Sequence, residues 1–367
     1  MTRRARGARL GTELLRMPSV DRRGGAGGVV FLAWGAVQGR SVEIVAALGG
    51  TATCMYPPAT AWRPPVLVRY ALSTVRTVVL LARRRPRVVV VTNPPVIPGL
   101  LALVWARLTG AVVALDSHPG AFGAKDNRVA ARLLPVHRFL ARRVTVSLVA
   151  APEWQREVES WGGRAMVVHE APGPPSGHRH PRHRPLRVLY VGTFAPDEPI
   201  GEVVAAAGLV PECELVVTGD VARCPDTVRA AAPPNVRFVG FLDPPRYQAH
   251  LEEADVVVTL TTEPDSVMRA AYEAVYAERP LVLSDWPISR ELFPAALYCA
   301  NDAAGLAAAL HRADRELDQL DARAGAARAT QLARWEEQLR ELRGWLFPDG
   351  VPWPSSPTCG LPETMAG

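Results

Sequence analysis

Two carboxylates stand eight residues apart in the run Thr262-Glu263-Pro264-Asp265-Ser266-Val267-Met268-Arg269-Ala270-Ala271-Tyr272-Glu273-Ala274. On a helix that spacing is a little over two turns, which puts Asp265 and Glu273 on one face. Asp265 reads as the residue that caps the helix start, where a negative charge is favoured. A carboxylate such as Glu273, with two acceptor oxygens, suits bidentate hydrogen bonding to vicinal hydroxyls, for example those of a ribose. The plain alternative is a cap followed by a solvated glutamate.

A second candidate is the small-residue turn Gly192-Thr193-Phe194, between an apolar run and a helix beginning near Pro199. Free N–H groups and the helix dipole at such a place favour an anion, a phosphate above all. An ordinary tight turn accounts for the same residues. No Gly-x-Gly-x-x-Gly pattern accompanies it, which argues against a dinucleotide fold.

In the first half, Asp116-Ser117-His118-Pro119-Gly120 follows another apolar run, Ala111–Leu115. A histidine beside an aspartate at a strand end can hydrogen-bond a sugar or a phosphate and tune local charge. Gly35, Arg40 and Ser41 follow the first apolar run. The glycine permits close backbone approach, and Arg40 can meet an anionic acceptor. Other features read as structure. His178, His180 and His183 could chelate a metal, but their place in a Pro/Arg-rich linker argues against it. Arg83-Arg84-Arg85 with Arg87, and Arg142-Arg143, read as solvated helix ends.

The elements that must position these residues alternate along the chain. Strand-like runs are Val29–Trp34, Thr51–Tyr56, Arg87–Thr92, Ala111–Leu115, Val144–Leu148 and Arg164–His169, then Leu186–Val191, Glu214–Thr218, Val236–Val239, Asp255–Leu260, Leu281–Ser284 and Ala296–Ala300. Helical stretches such as Val66–Arg84 and Asp126–Arg143 separate them. Continuous apolar strands between helices predict parallel sheets covered on both faces. The fold class is therefore α/β, with two Rossmann-like doubly wound domains facing a cleft and a C-terminal helix over Ala303–Leu346, broken near Gly325. The predicted layout is a disordered basic tail (1–28), a first domain (29–170), a linker (171–185), a second domain with the terminal helix (186–346) and a disordered tail (347–367). In open α/β sheets ligands bind at the carboxyl ends of the strands, where the candidate residues all lie. The uncharged run 88–106 contains three prolines among its residues 94–98 and reads as strand, turn and helix rather than a membrane span.

The composition, 48% hydrophobic and 21% charged, excludes a wholly disordered chain. Charge is unevenly placed. Residues 1–170 carry 24 basic and 9 acidic side chains and residues 171–367 carry 18 and 27, so a half at +15 is joined to a half at −9. An anionic partner on the first half alone fits this asymmetry. Nucleic acid does not fit, because the second half is acidic and no basic/aromatic platform is seen. Five scattered cysteines without a CxxC pair argue against disulfides and structural zinc, and favour a reducing cytoplasm. The arginine-rich start lacks the apolar core of a secretory signal.

The run Glu263–Ala274, the following Pro280-Leu281-Val282 and the earlier Asn235-Val236-Arg237-Phe238-Val239-Gly240-Phe241 resemble the family-4 (group 1) glycosyltransferases of the two-domain GT-B fold. That family carries E-x7-E between its last two core strands, and here the pattern stands as Asp265-x7-Glu273, with Glu263 two residues out of register. The resemblance implies that Glu273 binds the nucleotide ribose and that Asp265, beside Ser266, meets the donor sugar. It implies that the Gly192-Thr193 turn and, for want of a lysine in this half, Arg223 or Arg290 hold the diphosphate. Phe241 and Leu242 would hold the base through backbone atoms. His118, with Asp116 and Arg40 on the acceptor side, would stand near the transferring sugar.

By the same resemblance the chain is a metal-independent, hexosyltransferase-type enzyme without a cofactor. It would move sugar from a nucleotide diphosphate to a glycan or polyprenyl/lipid-linked acceptor with retention of configuration, in cell-surface polysaccharide or glycolipid synthesis. Its expected place is the cytoplasm, peripheral on an anionic inner membrane face. The alternatives are a nucleotide-sugar 2-epimerase and a degenerate, non-catalytic module of the same fold.

Overall fold

The computed structural model describes residues 28–34, 39–55, 65–123, 128–173 and 182–348. The chain divides into two compact units, one gathering the residues up to Ala171 with those from Glu337 onward, the other Pro172–Glu336.

The first unit is built on six parallel strands: β1 (Val29–Ala33), β2 (Thr51–Cys54), β3 (Val88–Asn93), β4 (Val112–Ser117), β5 (Val146–Val149) and β6 (Ala165–Val167). Their order across the sheet is β2-β1-β3-β4-β5-β6. Order reverses between β1 and β3, the switch point at which such sheets take ligands. Helices Val66–Arg84, Ile97–Thr109 and Arg128–Ala141 cover the sheet, so Phe31, Leu32, Val89, Val91 and Leu115 are all at 0% exposure. Each such side chain removed from water contributes about 1.5–3 kcal/mol. This burial is why the strands read as unbroken apolar runs rather than alternating ones.

Residues 88–106 do form strand, turn and helix. No helix among the described residues is long and apolar enough to cross a membrane. Helix Val66–Arg84 ends at Arg85 in a left-handed conformation, with Arg83 and Arg84 in its last turn. Those charges complement the carbonyl end of the helix dipole.

The second unit repeats the plan with β7 (Leu186–Val191), β8 (Cys213–Thr218), β9 (Val236–Gly240), β10 (Val256–Thr259), β11 (Leu281–Ser284) and β12 (Leu297–Cys299). All pairings are parallel and the order is β12-β11-β10-β7-β8-β9. Here the switch point lies between β7 and β10. The core on one face gathers Val188, Tyr190, Leu215, Val217, Val256 and Val258 under the Ile200–Leu209 helix and the start of the last helix.

That last helix runs Ala303–Leu346 without the break expected near Gly325. Glycine costs a helix interior about 1 kcal/mol relative to alanine, which the flanking Ala324, Ala326 and Ala327 and their packing offset. Its final turns belong with the first unit. Gln338 accepts from the His169 backbone N–H at 3.0 Å, and Arg343 donates to the Ala47 carbonyl at 3.1 Å. Of the linker expected at 171–185, the described residues are anchored at its far end: Asp255 accepts from the backbone N–H groups of His183 and Arg187 at 3.2 and 2.8 Å.

Candidate functional site

In the first unit a polar cluster lies at the carboxyl ends of β3 and β4. Strand β4 extends two residues beyond its apolar run, so Asp116 and Ser117 lie inside the sheet rather than after it, both at 0% exposure. A carboxylate so placed must be paired. Ser41 donates its hydroxyl to Asp116 Oδ2, and the Arg40 guanidinium stands 3.5 Å from Oδ1.

Arg40 and Ser41 open the Gly39–Ala47 helix and are buried, at 5% and 1% exposure. Arg40 also donates to the Val149 carbonyl at 3.1 Å. The sequence reading made Arg40 a loop residue open to an anionic acceptor. Its guanidinium is instead turned inward, because the buried Asp116 needs a counter-charge. Gly35 lies outside the described residues.

His118 Nε2 is 3.6 Å from Asp116 Oδ2, and its ring is 15% exposed. Burial lowers its pKa below the ordinary histidine value; Asp116 opposes the shift and Arg40 adds to it. The ring is therefore neutral at pH 7, suited to hydrogen bonding rather than to carrying charge.

Next to it runs a chain that sequence reasoning missed. Asn93 Nδ2 donates to Ser117 Oγ at 3.4 Å, Ser117 Oγ and His137 Nε2 are 3.1 Å apart, and His137 Nδ1 is 3.1 Å from the Ala121 carbonyl. Burial, with Phe122 and Trp161 packed edge-on to the ring, pushes the His137 pKa down to about 4. Nothing at sequence level distinguishes His137 from a surface histidine in an amphipathic helix.

In the second unit the candidate residues follow the carboxyl ends of β7, β8, β9, β10 and β11. The turn after β7 is tight. A Cβ at Gly192 would lie 2.6 Å from the Tyr190 ring and 2.8 Å from Glu198 Oε2. Gly219, after β8, has φ +139°, and a Cβ there would meet the Gly192 carbonyl at 2.5 Å. Both positions thus require glycine.

The Thr193 and Phe194 N–H groups, free donors in the sequence reading, point at Glu198. Its Oε2 accepts from them at 2.7 and 2.8 Å, and Oε1 accepts from the Thr193 hydroxyl at 2.8 Å. Asp197 ties the same turn to the end of β10. Its carboxylate accepts from the Thr261 hydroxyl at 2.9 Å and its carbonyl from the Thr262 N–H at 2.7 Å. The only sequence trace of this arrangement is an acidic pair just before the helix.

Glu273 lies on the Arg269–Tyr276 helix with 23% of its side chain exposed. Tyr247 donates to its Oε2 at 2.5 Å and Arg269 to its Oε1 at 2.7 Å. Burial, then the Glu273 charge, raise the Tyr247 pKa, so the phenol keeps its proton. Asp265 does not cap this helix. The helix starts at Arg269 with Met268 before it, and Asp265 is exposed in a turn four residues earlier. Pro264 and the extended Met268 backbone delay the helix, so the eight-residue spacing is not two turns of one face. Ser266 lies partly buried just beyond that turn.

Arg290 is occupied in a bidentate pair with Asp285, at 2.6 and 2.8 Å, and lies over the Tyr298 ring at 4.4 Å. Arg223 ends a short 3-10 turn after β8 and is exposed. Phe241 is 83% exposed beyond Gly240 (φ +80°), with Leu242 partly covered. His183 pairs with Asp255, 3.3 Å from a carboxylate oxygen, while His178 and His180 lie outside the described residues. Among the described residues no three His, Cys, Asp or Glu side chains gather as metal ligands would.

Comparison with known proteins bears on the whole arrangement. The family model described as "Glycosyl transferases group 1" matches residues 185–314. The sucrose-phosphate synthase of Thermosynechococcus elongatus superposes with a TM-score of 0.66 at 15% identity, over 86% of this chain and 97% of that one. HepE of Anabaena, solved in complex with UDP and glucose, gives 0.66 at 13% identity, over 86% and 98%. A glycosyltransferase of Rickettsia africae gives 0.62 at 13%, over 87% and 97%. No curated protein sequence matches. At these identities the structures establish the fold, and the family match falls within the second unit. The chain therefore has the two-domain GT-B fold, and residues 185–314 of its second unit are similar to the group 1 glycosyl transferases.

Proposed function

We propose that the protein is a retaining glycosyltransferase that moves a hexosyl group from a nucleotide diphosphate to a glycan or lipid-linked acceptor, without a metal ion or other cofactor. The observation that carries the reading is Glu273. It lies inside the family match, at the carboxyl side of β10, with its carboxylate oriented by Tyr247 and Arg269. Each carboxylate oxygen takes one donor from the chain and keeps acceptor capacity for vicinal hydroxyls. HepE, with the same fold, is described in complexes with UDP and with UDP-glucose, which supports a nucleotide-sugar donor here.

Each group in the two units then has a task. Glu273 anchors the ribose, and exposed Phe241 with Leu242 borders the base. His118, neutral at pH 7, hydrogen-bonds a hydroxyl of the transferring sugar and adds no charge to a center that becomes cationic. Asp116 stands 3.6 Å from that ring, and Arg40 and Ser41 neutralize and orient its carboxylate. Asp265, exposed and unconstrained by a helix, would reach the donor sugar only when substrate orders its turn.

The acceptor falls to the basic first half, and a peripheral position on the inner membrane face fits its surface. Leu67, Val75 and Val78 are exposed on one stripe of the Val66–Arg84 helix, beside exposed Val104 and Leu108 on the helix packed against it. Exposed apolar side chains on a half that carries an excess of arginine suit an anionic leaflet. The expected setting is cytoplasmic synthesis of a surface polysaccharide or glycolipid.

Calorimetric binding of UDP-, GDP- and TDP-sugars, with Glu273→Ala as control, tests the donor site. Binding of one nucleotide class, lost in the variant, is expected. Product analysis with that donor then separates transfer from epimerization: a glycoconjugate with free nucleoside diphosphate supports the reading, and an epimerized sugar overturns it.

A further inference from the structure

The N–H donors of the β7 turn are already serving an anion, and it belongs to the chain. Glu198 is 5% exposed, and its carboxylate takes the Thr193 N–H, the Phe194 N–H and the Thr193 hydroxyl within 2.8 Å. The space left by the absent Gly192 side chain, which a phosphate oxygen would need, has Glu198 Oε2 at its edge, 2.8 Å from the position of a Cβ.

The backbone that carries this carboxylate is tied down on both sides. The Glu198 N–H donates to the Ala195 carbonyl at 3.0 Å, and its carbonyl accepts from Ile200 at 2.8 Å. Asp197 pins the preceding residue to Thr261 and Thr262. The turn thus carries two adjacent carboxylates, and residues 126–367 contain no lysine to offset them. Of the arginines considered for the diphosphate, Arg290 is committed to Asp285 and Arg223 lies exposed after β8, while Arg269 is held at least in part by Glu273.

Two anions cannot share one pair of N–H donors. A diphosphate brought to this turn would face a buried carboxylate of like charge at a few ångströms, where the two repel. We infer that Glu198 is a specificity-determining residue that occupies the β7 turn in place of phosphate. The second unit consequently recognizes the nucleoside end of its ligand and gains little from the diphosphate. This inference rests on the donor reading above and goes further, because it states which part of the donor supplies the affinity. It also accounts for a diphosphate site with no lysine: the turn is not built to hold that charge while Glu198 is seated.

The test is calorimetric titration of the full-length protein with uridine, guanosine and thymidine and with their diphosphates, in wild type, Glu198→Gln and Glu198→Ala. The glutamine variant keeps one carbonyl oxygen to accept from the turn and guards against misfolding of the alanine variant. The expected result is a wild type that binds the matching nucleoside and its diphosphate within about threefold of each other. In both variants diphosphate affinity should rise at least about tenfold while nucleoside affinity stays level. A wild type that prefers the diphosphate by tenfold or more overturns the role of Glu198 and leaves the donor reading standing. Variants in which the ratio does not change do the same. Absence of binding of every nucleoside and diphosphate to all three proteins overturns both.

Discussion

Tyr247 and Glu273, twenty-six residues apart on separate helices, are joined by a 2.5 Å hydrogen bond from the phenol to the carboxylate. The bond fixes the plane of a carboxylate that is only partly buried, so Tyr247 acts as a positioning residue for Glu273. Tyr247→Phe keeps the ring and its packing but frees the carboxylate to rotate. Nucleotide-sugar affinity should fall roughly five- to tenfold, the size of a typical lost hydrogen bond acting through the positioned carboxylate. Thermal unfolding should change little. An unaltered dissociation constant would show that Glu273 needs no such support.

The buried ion pair of the first unit makes a different demand. Removing the Asp116 carboxylate leaves the Arg40 guanidinium buried without a counter-charge. Asp116→Ala should therefore cost about 3–5 kcal/mol of stability. Urea denaturation would measure it, and a loss below 1 kcal/mol would mean that water reaches the pair.

His137 sets an acid limit. Its folded pKa of about 4 lies below the ordinary histidine value of 6.5, so the unfolded chain binds the proton more readily. Its contribution is complete above pH 6.5 and is lost as pH falls towards 4. The loss should reach roughly 3 kcal/mol across that window. Comparison of wild type with His137→Asn by denaturant melts at pH 7 and pH 4.5 checks this: the variant's pH dependence should be shallower.

Gly219 carries a φ of +139° and faces the Gly192 carbonyl and the Phe194 ring. Gly219→Ala meets both backbone strain and a backbone clash. A loss of about 2 kcal/mol or more is expected. Because the clash is with the β7 turn, nucleotide binding should weaken in parallel, as calorimetry would show.

The apolar stripe of the first unit predicts lipid dependence. Sedimentation with vesicles of anionic and of neutral phospholipid should give retention on the anionic ones alone. That retention should fall as salt is raised and fall again in Leu67→Ser/Val78→Ser. Equal retention on neutral vesicles would remove the electrostatic part of the proposal.

The twelve strands of the described residues and their parallel arrangement were legible along the chain. The reason is local: a strand buried on both faces must be apolar at every position, and helices must separate parallel neighbors. The resemblance in residues 235–282 likewise pointed to the fold that the comparisons establish. Helix continuity through Gly325 was not legible, because the propensity cost of one glycine is smaller than the packing that overrides it.

The sites divide in the same way. Residue types and their approximate place at the strand ends follow from sequence, since strands end where apolar runs end. Partner choice does not. Arg40 turns inward because Asp116, seventy-six residues away, lies inside a strand that extends two residues past its apolar run. Glu198 takes the turn that phosphate was expected to fill because the chain folds back within six residues of Gly192. Asp265 loses its helix because the backbone stays extended to Met268. Burial pattern is written in the order of residues and can be read from it. Which charge meets which donor depends on distances that exist only once the sheets and helices have packed.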